Sequence, residues 1–277
     1  MNSVSVSQAA AFPPVHILGG GAVGMALAVC LAAEGRDVTL IRTQRAAGEA
    51  TPGVPQEIPM TMTDGEKAVL GAAVRQVPLE AVAELGGILV IAVKSHANAA
   101  VAEALSKRRI RSDSTLVVMQ NGLGVEDAFR SLPCQVMRAV LYMTGERCSE
   151  TEVLFRAITS SPVGPVAEGM AEETVARCVA ALSTPVFPFH VECAAGIVRH
   201  AWGKTVINAV FNSVCPLLEA DNGLFARDAA AEALAAEIVR EGIALAAREG
   251  VVLEETALRE RILAISRGSD GVLISTL

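Results

Sequence analysis

The chain is 277 residues long, 52% hydrophobic and 19% charged, with a net charge of −7. That length holds one large core or two domains of ordinary size, and the composition excludes a disordered chain. The acidic balance, with no Lys/Arg run, argues against nucleic acid or an anionic membrane as main partner and favours a small ligand.

No apolar stretch reaches the roughly 18 residues of a membrane span. Residues 1–14 lack the basic region and apolar block of a signal peptide, so they are expected to form a flexible leader on a soluble, cytoplasmic protein. Val15 to Leu18 reads as a short strand, Gly19 to Gly24 breaks it, and Ala22 to Glu34 reads as a helix that Gly35 ends. Asp37 to Ile41 is the next, β-branched strand, which completes a βαβ unit. Further strands are expected at Ile88 to Val93, Thr115 to Met119 and Val136 to Leu141; the first of these is an unalternating apolar block, as in a parallel strand covered on both faces. Two prolines in Pro185 to His190 precede a change to helical sequence near Cys193. The expected domains are therefore 1–192 and 193–277. In the second, Ala229 to Arg248 repeats apolar residues at helical spacing up to Gly250, and a last helix is expected from Glu254 to about Ser266. The predicted fold class is α/β, an N-terminal Rossmann-type dinucleotide-binding domain followed by an all-α C-terminal domain. The six cysteines form no CxxC or close Cys/His pairing, so buried reduced thiols are expected and no metal site.

Gly19, Gly21 and Gly24 form a G-x-G-x-x-G between a predicted strand and a predicted helix. In this context the first glycine allows the tight turn, the second lets backbone N–H groups approach a pyrophosphate, and the third lets helix and strand pack closely. About 20 residues after the first glycine, NAD sites carry an Asp or Glu that binds the ribose hydroxyls. Here that place is taken by Arg42, with Arg45 nearby, which would attract a 2′-phosphate and so favours NADP.

Lys204, Asn208 and Asn212 fall at i, i+4 and i+8 of an otherwise apolar segment and share one stripe of a helix. A solvated stripe is the plain alternative, but two mid-helix asparagines cost helix propensity unless they bond to something. Val93-Lys94-Ser95 and Gln120-Asn121-Gly122 stand at the carboxyl ends of predicted strands, the edge where open α/β sheets bind ligands. Asn-Gly is also a common turn dipeptide.

Taken together, these residues resemble the ketopantoate reductase family (2-dehydropantoate 2-reductases). The likeness runs from Val15 to about Thr276. It includes Gly19-Gly20-Gly21-Ala22-Val23-Gly24, Arg42, Lys94, Gln120-Asn121-Gly122-Leu123-Gly124, Trp202-Gly203-Lys204, Asn208, Asn212 and Ala246-Ala247-Arg248-Glu249-Gly250. The resemblance implies that Lys204 is the catalytic acid and that Asn121, Asn208 and Asn212 contact or position substrate. It also implies that Gly19 to Gly24, Arg42, Lys94 and Asn121 hold NADP. Glu241 is similar to a family glutamate on a neighbouring helix. The implied activity is NADPH-dependent reduction of a small 2-keto acid, ketopantoate to pantoate, in pantothenate biosynthesis. A reductase of another keto acid or of an imine, or a non-catalytic NADP-binding or redox-sensing protein, stays open as an alternative. So does a homodimer. In one respect the chain departs from the family, which continues through Ser-x-x-x-Asp and a later glutamate, whereas this sequence stops at Ile274-Ser275-Thr276-Leu277. Ser275 matches the serine that helps hold the substrate carboxylate, and the apolar ending suggests that the helical domain continues beyond Leu277.

Overall fold

The computed structural model describes residues 12–43, 56–64 and 67–273. In chain order the strands are β1 Val15–Leu18, β2 Val38–Arg42, β3 Gln56–Asp64, β4 Lys67–Pro78, β5 Glu84–Leu85, β6 Ile88–Ile91, β7 Arg109–Ile110, β8 Thr115–Val118, β9 Gln135–Ala139, β10 Met143–Arg147, β11 Glu152–Ala157, β12 Ser161–Pro165 and β13 Phe189–Val191. The helices are α1 Ala22–Ala33, α2 Asn98–Ser106, α3 Glu172–Leu182, α4 Ala194–Leu217, α5 Leu224–Arg227, α6 Ala229–Arg248 and α7 Glu255–Gly268. Two compact units result. One comprises the described residues up to Gln120 together with Gly124–Ala194; the other comprises Asn121–Leu123 and the described residues from Ala195 on.

The first unit is built on one sheet ordered β10-β11-β3-β4-β2-β1-β6-β8-β9-β12-β13. Its middle six strands, β4-β2-β1-β6-β8-β9, are all parallel. Numbered among themselves they run third, second, first, fourth, fifth, sixth, the Rossmann order. All four residues of β6 and of β8 are buried because each strand feeds two cores. Ile17, Val90 and Val117 point into one; Leu18, Ile91 and Val118, their neighbours one residue on, point into the other. This is the period-two alternation of a strand covered on both faces. Helix α1 is buried from Gly24 to Leu31, with apolar residues on every side, and so belongs inside the first core rather than on the surface. Helix α2 covers the opposite face through Val101 and Leu105.

Outside the parallel block the sheet adds β3 antiparallel to β4, the β10–β11 hairpin against β3, and β12 antiparallel to β9. None of these additions was expected from sequence, nor were α2 and α3. Pro185 to His190, read as a boundary segment, carries the start of β13, which pairs parallel with β12 as Ser161↔Phe189. A three-residue strand at the edge of a sheet tolerates flanking prolines because one side of its ladder needs no donors, and that is why the prolines hid it.

The second unit is helical. Val206, Val210, Phe211 and Val214 of α4 pack with Phe225, Val239, Leu258 and Ile262, and the Phe211 and Phe225 rings meet edge-on at 5.0 Å. Helix α6 starts where the Asp228 carboxylate accepts hydrogen bonds from the Ala230 and Ala231 N–H groups at 2.8 and 2.9 Å, an acidic N-cap. It gives way to Gly250, whose φ of +74° suits the residue that follows a helix end. Among the described residues, no helix is long and apolar enough to cross a membrane.

No disulfide joins the cysteines. Burial pushes the Cys30 and Cys178 thiols up to about 12, whereas Cys148 is exposed on the β10–β11 turn. Since the thiolate is the nucleophile, a thiol-alkylating reagent at neutral pH is expected to label Cys148 and leave Cys30 and Cys178 unmodified until the protein is denatured. Peptide mass spectrometry before and after denaturation checks this.

Candidate active site

Because β1, β2, β6 and β8 are parallel, their carboxyl ends lie along one edge of the sheet. Leaving β1, the chain turns into α1 in one core; leaving β6, it reaches α2 in the other. Adjacent strands whose connections depart to opposite faces open a crevice at their carboxyl ends, where such sheets bind ligands.

The glycine turn sits at this point. Gly19 has a φ of +118°, and a Cβ on it would lie 2.8 Å from the carbonyl carbon of Ala92 and the nitrogen of Val93, so the backbones after β1 and β6 touch there. A Cβ on Gly24 would overlap the carbonyl oxygen of Gly19 and lie 3.3 Å from Ile17 Cγ2. Gly21 is different: it is exposed, has an ordinary φ of −78°, and a Cβ there would meet nothing within 4 Å among the described residues. Thus the packing of the described residues demands glycine at 19 and 24 but not at 21, where none of them would make a side chain unwelcome. Helix α1 begins after Gly21 with neither a side-chain cap nor an acidic residue in its first turn. Its leading N–H groups and partial positive charge suit an anion such as a pyrophosphate. Gly20, Ala22 and Val23 complete the turn.

Arg42 ends β2. Its guanidinium donates to Gln76 Oε1 at 3.2 Å and to Glu150 Oε2 at 2.9 Å. Lys94, just beyond β6, is exposed, as is Asn121 beyond β8. The loops carrying them are tied by a buried pair of amides. Asn98 Nδ2 donates to Gln120 Oε1 at 2.8 Å and to the Val125 carbonyl at 2.9 Å, while Gln120 Nε2 donates to Asn98 Oδ1 at 2.7 Å and to the Val93 carbonyl at 2.6 Å. A few residues on, Glu126 accepts from the buried Arg138 of β9 at 3.1 Å, and burial holds that guanidinium below its ordinary value.

In the second unit Lys204, Asn208 and Asn212 lie on the 24-residue helix α4 as one stripe; the first two are half-buried and the third exposed. The neighbouring face carries the apolar residues of the helical core. Asn121–Leu123 belongs to this unit. Glu241 is exposed on α6. Ser275 and Arg45 lie outside the described residues.

Two family models cover most of the chain. "Ketopantoate reductase PanE/ApbA" matches residues 15–168 and "Ketopantoate reductase PanE/ApbA C terminal" matches residues 197–276. The chain belongs to the ketopantoate reductase family. A 2-dehydropantoate 2-reductase of Pyrococcus abyssi is 24% identical over 242 residues, 86% of this chain and 75% of the relative. Among solved structures, a dimeric ketopantoate reductase from Staphylococcus aureus matches with a TM-score of 0.73 at 21% identity, over 95% of this chain and 82% of that one. The ternary structure of D-mandelate dehydrogenase with NADH and anilino(oxo)acetate matches with a TM-score of 0.71 at 17% identity, over 91% and 79%. At these identities the structural likenesses concern the fold: a Rossmann-type sheet followed by helices.

Sequence inspection of this family member missed Asn98, Gln76 and Glu150. Asn98 sits 22 residues from the amide it pairs with, and Glu150 sits 108 residues from Arg42, so neither has a local signal. The contrast between the glycines is testable by stability alone. Gly24→Ala is expected to lose about 1–3 kcal/mol through overpacking. Gly21→Val is expected to lose only about 1 kcal/mol or less, from a poorer N-cap. Thermal unfolding of both variants beside the wild type measures the difference.

Proposed function

We propose that this chain catalyses the NADPH-dependent reduction of a small 2-keto acid, 2-dehydropantoate (ketopantoate) to pantoate, the reaction that serves pantothenate biosynthesis. The observation that carries the proposal is the match of both halves of the chain to ketopantoate reductase models, with the glycine turn in one half and the Lys204 stripe in the other. Residues 1–192 are the dinucleotide-binding domain and residues 193–277 the substrate and catalytic domain. A homodimer in the cytoplasm belongs to the same proposal; the dimer is supported by the Staphylococcus aureus relative.

The open space at Gly21, the uncapped start of α1 and the cation at the end of β2 together fit a phosphorylated dinucleotide. Gly19 to Gly24 would hold its pyrophosphate through backbone N–H groups, Arg42 its 2′-phosphate, and Lys94 and Asn121 the parts nearer the reacting end. When bound, the reduced nicotinamide supplies the hydride. Everything else falls to the protein. As the substrate carbonyl oxygen gains negative charge, the Lys204 ammonium stabilises it and gives up a proton from Nζ to form the alcohol. Asn208 and Asn121 orient the carbonyl and hydroxyl groups by hydrogen bonds, Asn212 extends the same stripe, and Ser275 binds the carboxylate.

Steady-state kinetics on 2-dehydropantoate and a panel of 2-keto acids tests the activity and the role of each residue. Lys204→Ala is expected to lower kcat by roughly 10²–10⁴, the range for loss of a positioned acid, with little change in NADPH affinity. Asn208→Ala is expected to act partly through KM, because a group that orients the ground state also binds it. A folded Lys204→Ala protein with near-normal kcat would refute the assigned acid.

Cofactor choice is tested separately. The wild type is expected to bind NADPH more tightly than NADH, and Arg42→Asp to narrow or reverse that preference. Gly21→Val is expected to abolish binding of both, and the stability measurement above separates this from unfolding.

A further inference from the structure

The partner of Arg42 has the same charge as the group Arg42 is proposed to bind. Glu150 stands on the turn between β10 and β11, 66% exposed, and its Oε2 accepts from Arg42 Nη2 at 2.9 Å. Its other oxygen, Oε1, lies 2.5 Å from Arg147 Nη2. The turn that carries it is held by backbone: the Cys148 and Ser149 N–H groups donate to the Glu152 carbonyl at 3.0 and 3.2 Å, and the Thr61 N–H of β3 donates to the Thr151 carbonyl at 3.1 Å. The carboxylate is therefore anchored from its own side and does not reach Arg42 by chance extension of a loose loop. Arg42 is the less exposed partner, at 20%, and its other arm is directed to Gln76.

Building on the NADPH reading of this site, we propose that Glu150 is a cofactor-discriminating residue, which competes with the 2′-phosphate for the Arg42 guanidinium and so holds down the preference for NADPH over NADH. A 2′-phosphate, carrying close to two negative charges, has to displace the carboxylate from Nη2 and then remain beside it; a ribose 2′-hydroxyl does neither, and can instead donate to the carboxylate. The hydrogen bond from the Arg42 guanidinium holds the Glu150 carboxyl below its ordinary range, so Glu150 is ionised at neutral pH, where the competition operates. Arg42 and Arg147 are both cations, and Arg147 stays with the carboxylate when Arg42 is taken, so the displaced Glu150 keeps a partner.

The test is calorimetric titration of the full chain with NADPH and with NADH, for the wild type, Glu150→Gln, Glu150→Ala, Arg42→Ala and the Arg42→Ala/Glu150→Gln double variant. Removing one exposed ion-pair partner is expected to raise NADPH affinity about five-fold, to leave NADH affinity unchanged or lower it, and to do so less at high salt. The gain is expected to vanish when Arg42 is absent, as coupling through that residue requires. If Arg42→Ala weakens NADPH binding but neither Glu150 variant changes the ratio of the two affinities, Glu150 has no such role and the NADPH reading stands. If Arg42→Ala leaves NADPH affinity unchanged, or neither nucleotide binds, the assignment of Arg42 falls and the role of Glu150 falls with it.

Discussion

Two stretches of backbone in the first unit, Gly19 after β1 and Ala92–Val93 after β6, come together too closely for any side chain at 19, and the rest of the candidate site depends on that approach. A side chain at 19 would occupy the space of that second backbone. With only hydrogen there, β1 and β6 run side by side to their ends while their connections leave for opposite faces, and the start of α1 comes to the mouth of the resulting crevice. Gly24 extends the constraint by letting the first turn of α1 rest on the Gly19 carbonyl. The helix behind it is apolar all round and can only be accommodated inside a core, so its uncapped first turn is fixed in place by burial of everything that follows.

The strand-end loops are stabilised differently, by polar groups withdrawn from water. Asn98 and Gln120 present donor to acceptor in both directions, and their remaining hydrogens go to the carbonyls of Val93 and Val125. A satisfied buried network of this kind selects one arrangement, because any shift leaves an amide unpaired in a low-dielectric interior. The Glu126–Arg138 pair acts on the same stretch of chain, coupling the loop after Gly124 to β9. Lys94 and Asn121, to which the proposed function gives roles, are themselves exposed and take their positions from the backbone that carries them.

At the end of β2 the governing quantity is charge. An arginine where NAD-binding sites carry an acid reverses the sign of the local field, and a carboxylate supplied by the β10–β11 turn partly restores it. The outcome at this position is a balance between Arg42, Arg147 and Glu150 rather than the property of a single residue. It arises because the sheet extends past the parallel block, with β3 and β4 placing the hairpin's strand β11 in the same sheet as β2.

The Rossmann core and the helical character of the second half were legible in the residues themselves. Gly19 to Gly24, the unalternating strand at 88–91, the strand at 115–118, and the apolar spacing of Ala229–Arg248 are local patterns, and local patterns survive in a linear sequence because they depend on neighbours within a few positions. Lys204, Asn208 and Asn212 shared a stripe for the same reason, since helical spacing alone dictates it. What the tertiary structure decided was every relation between distant residues: the antiparallel additions to the sheet, the short strand hidden among prolines, the pairing of Asn98 with Gln120, and the meeting of Arg42 with Glu150. These pairs carry no periodicity and no spacing rule, because strand order, and not distance along the chain, determines which side chains share a place on the sheet edge.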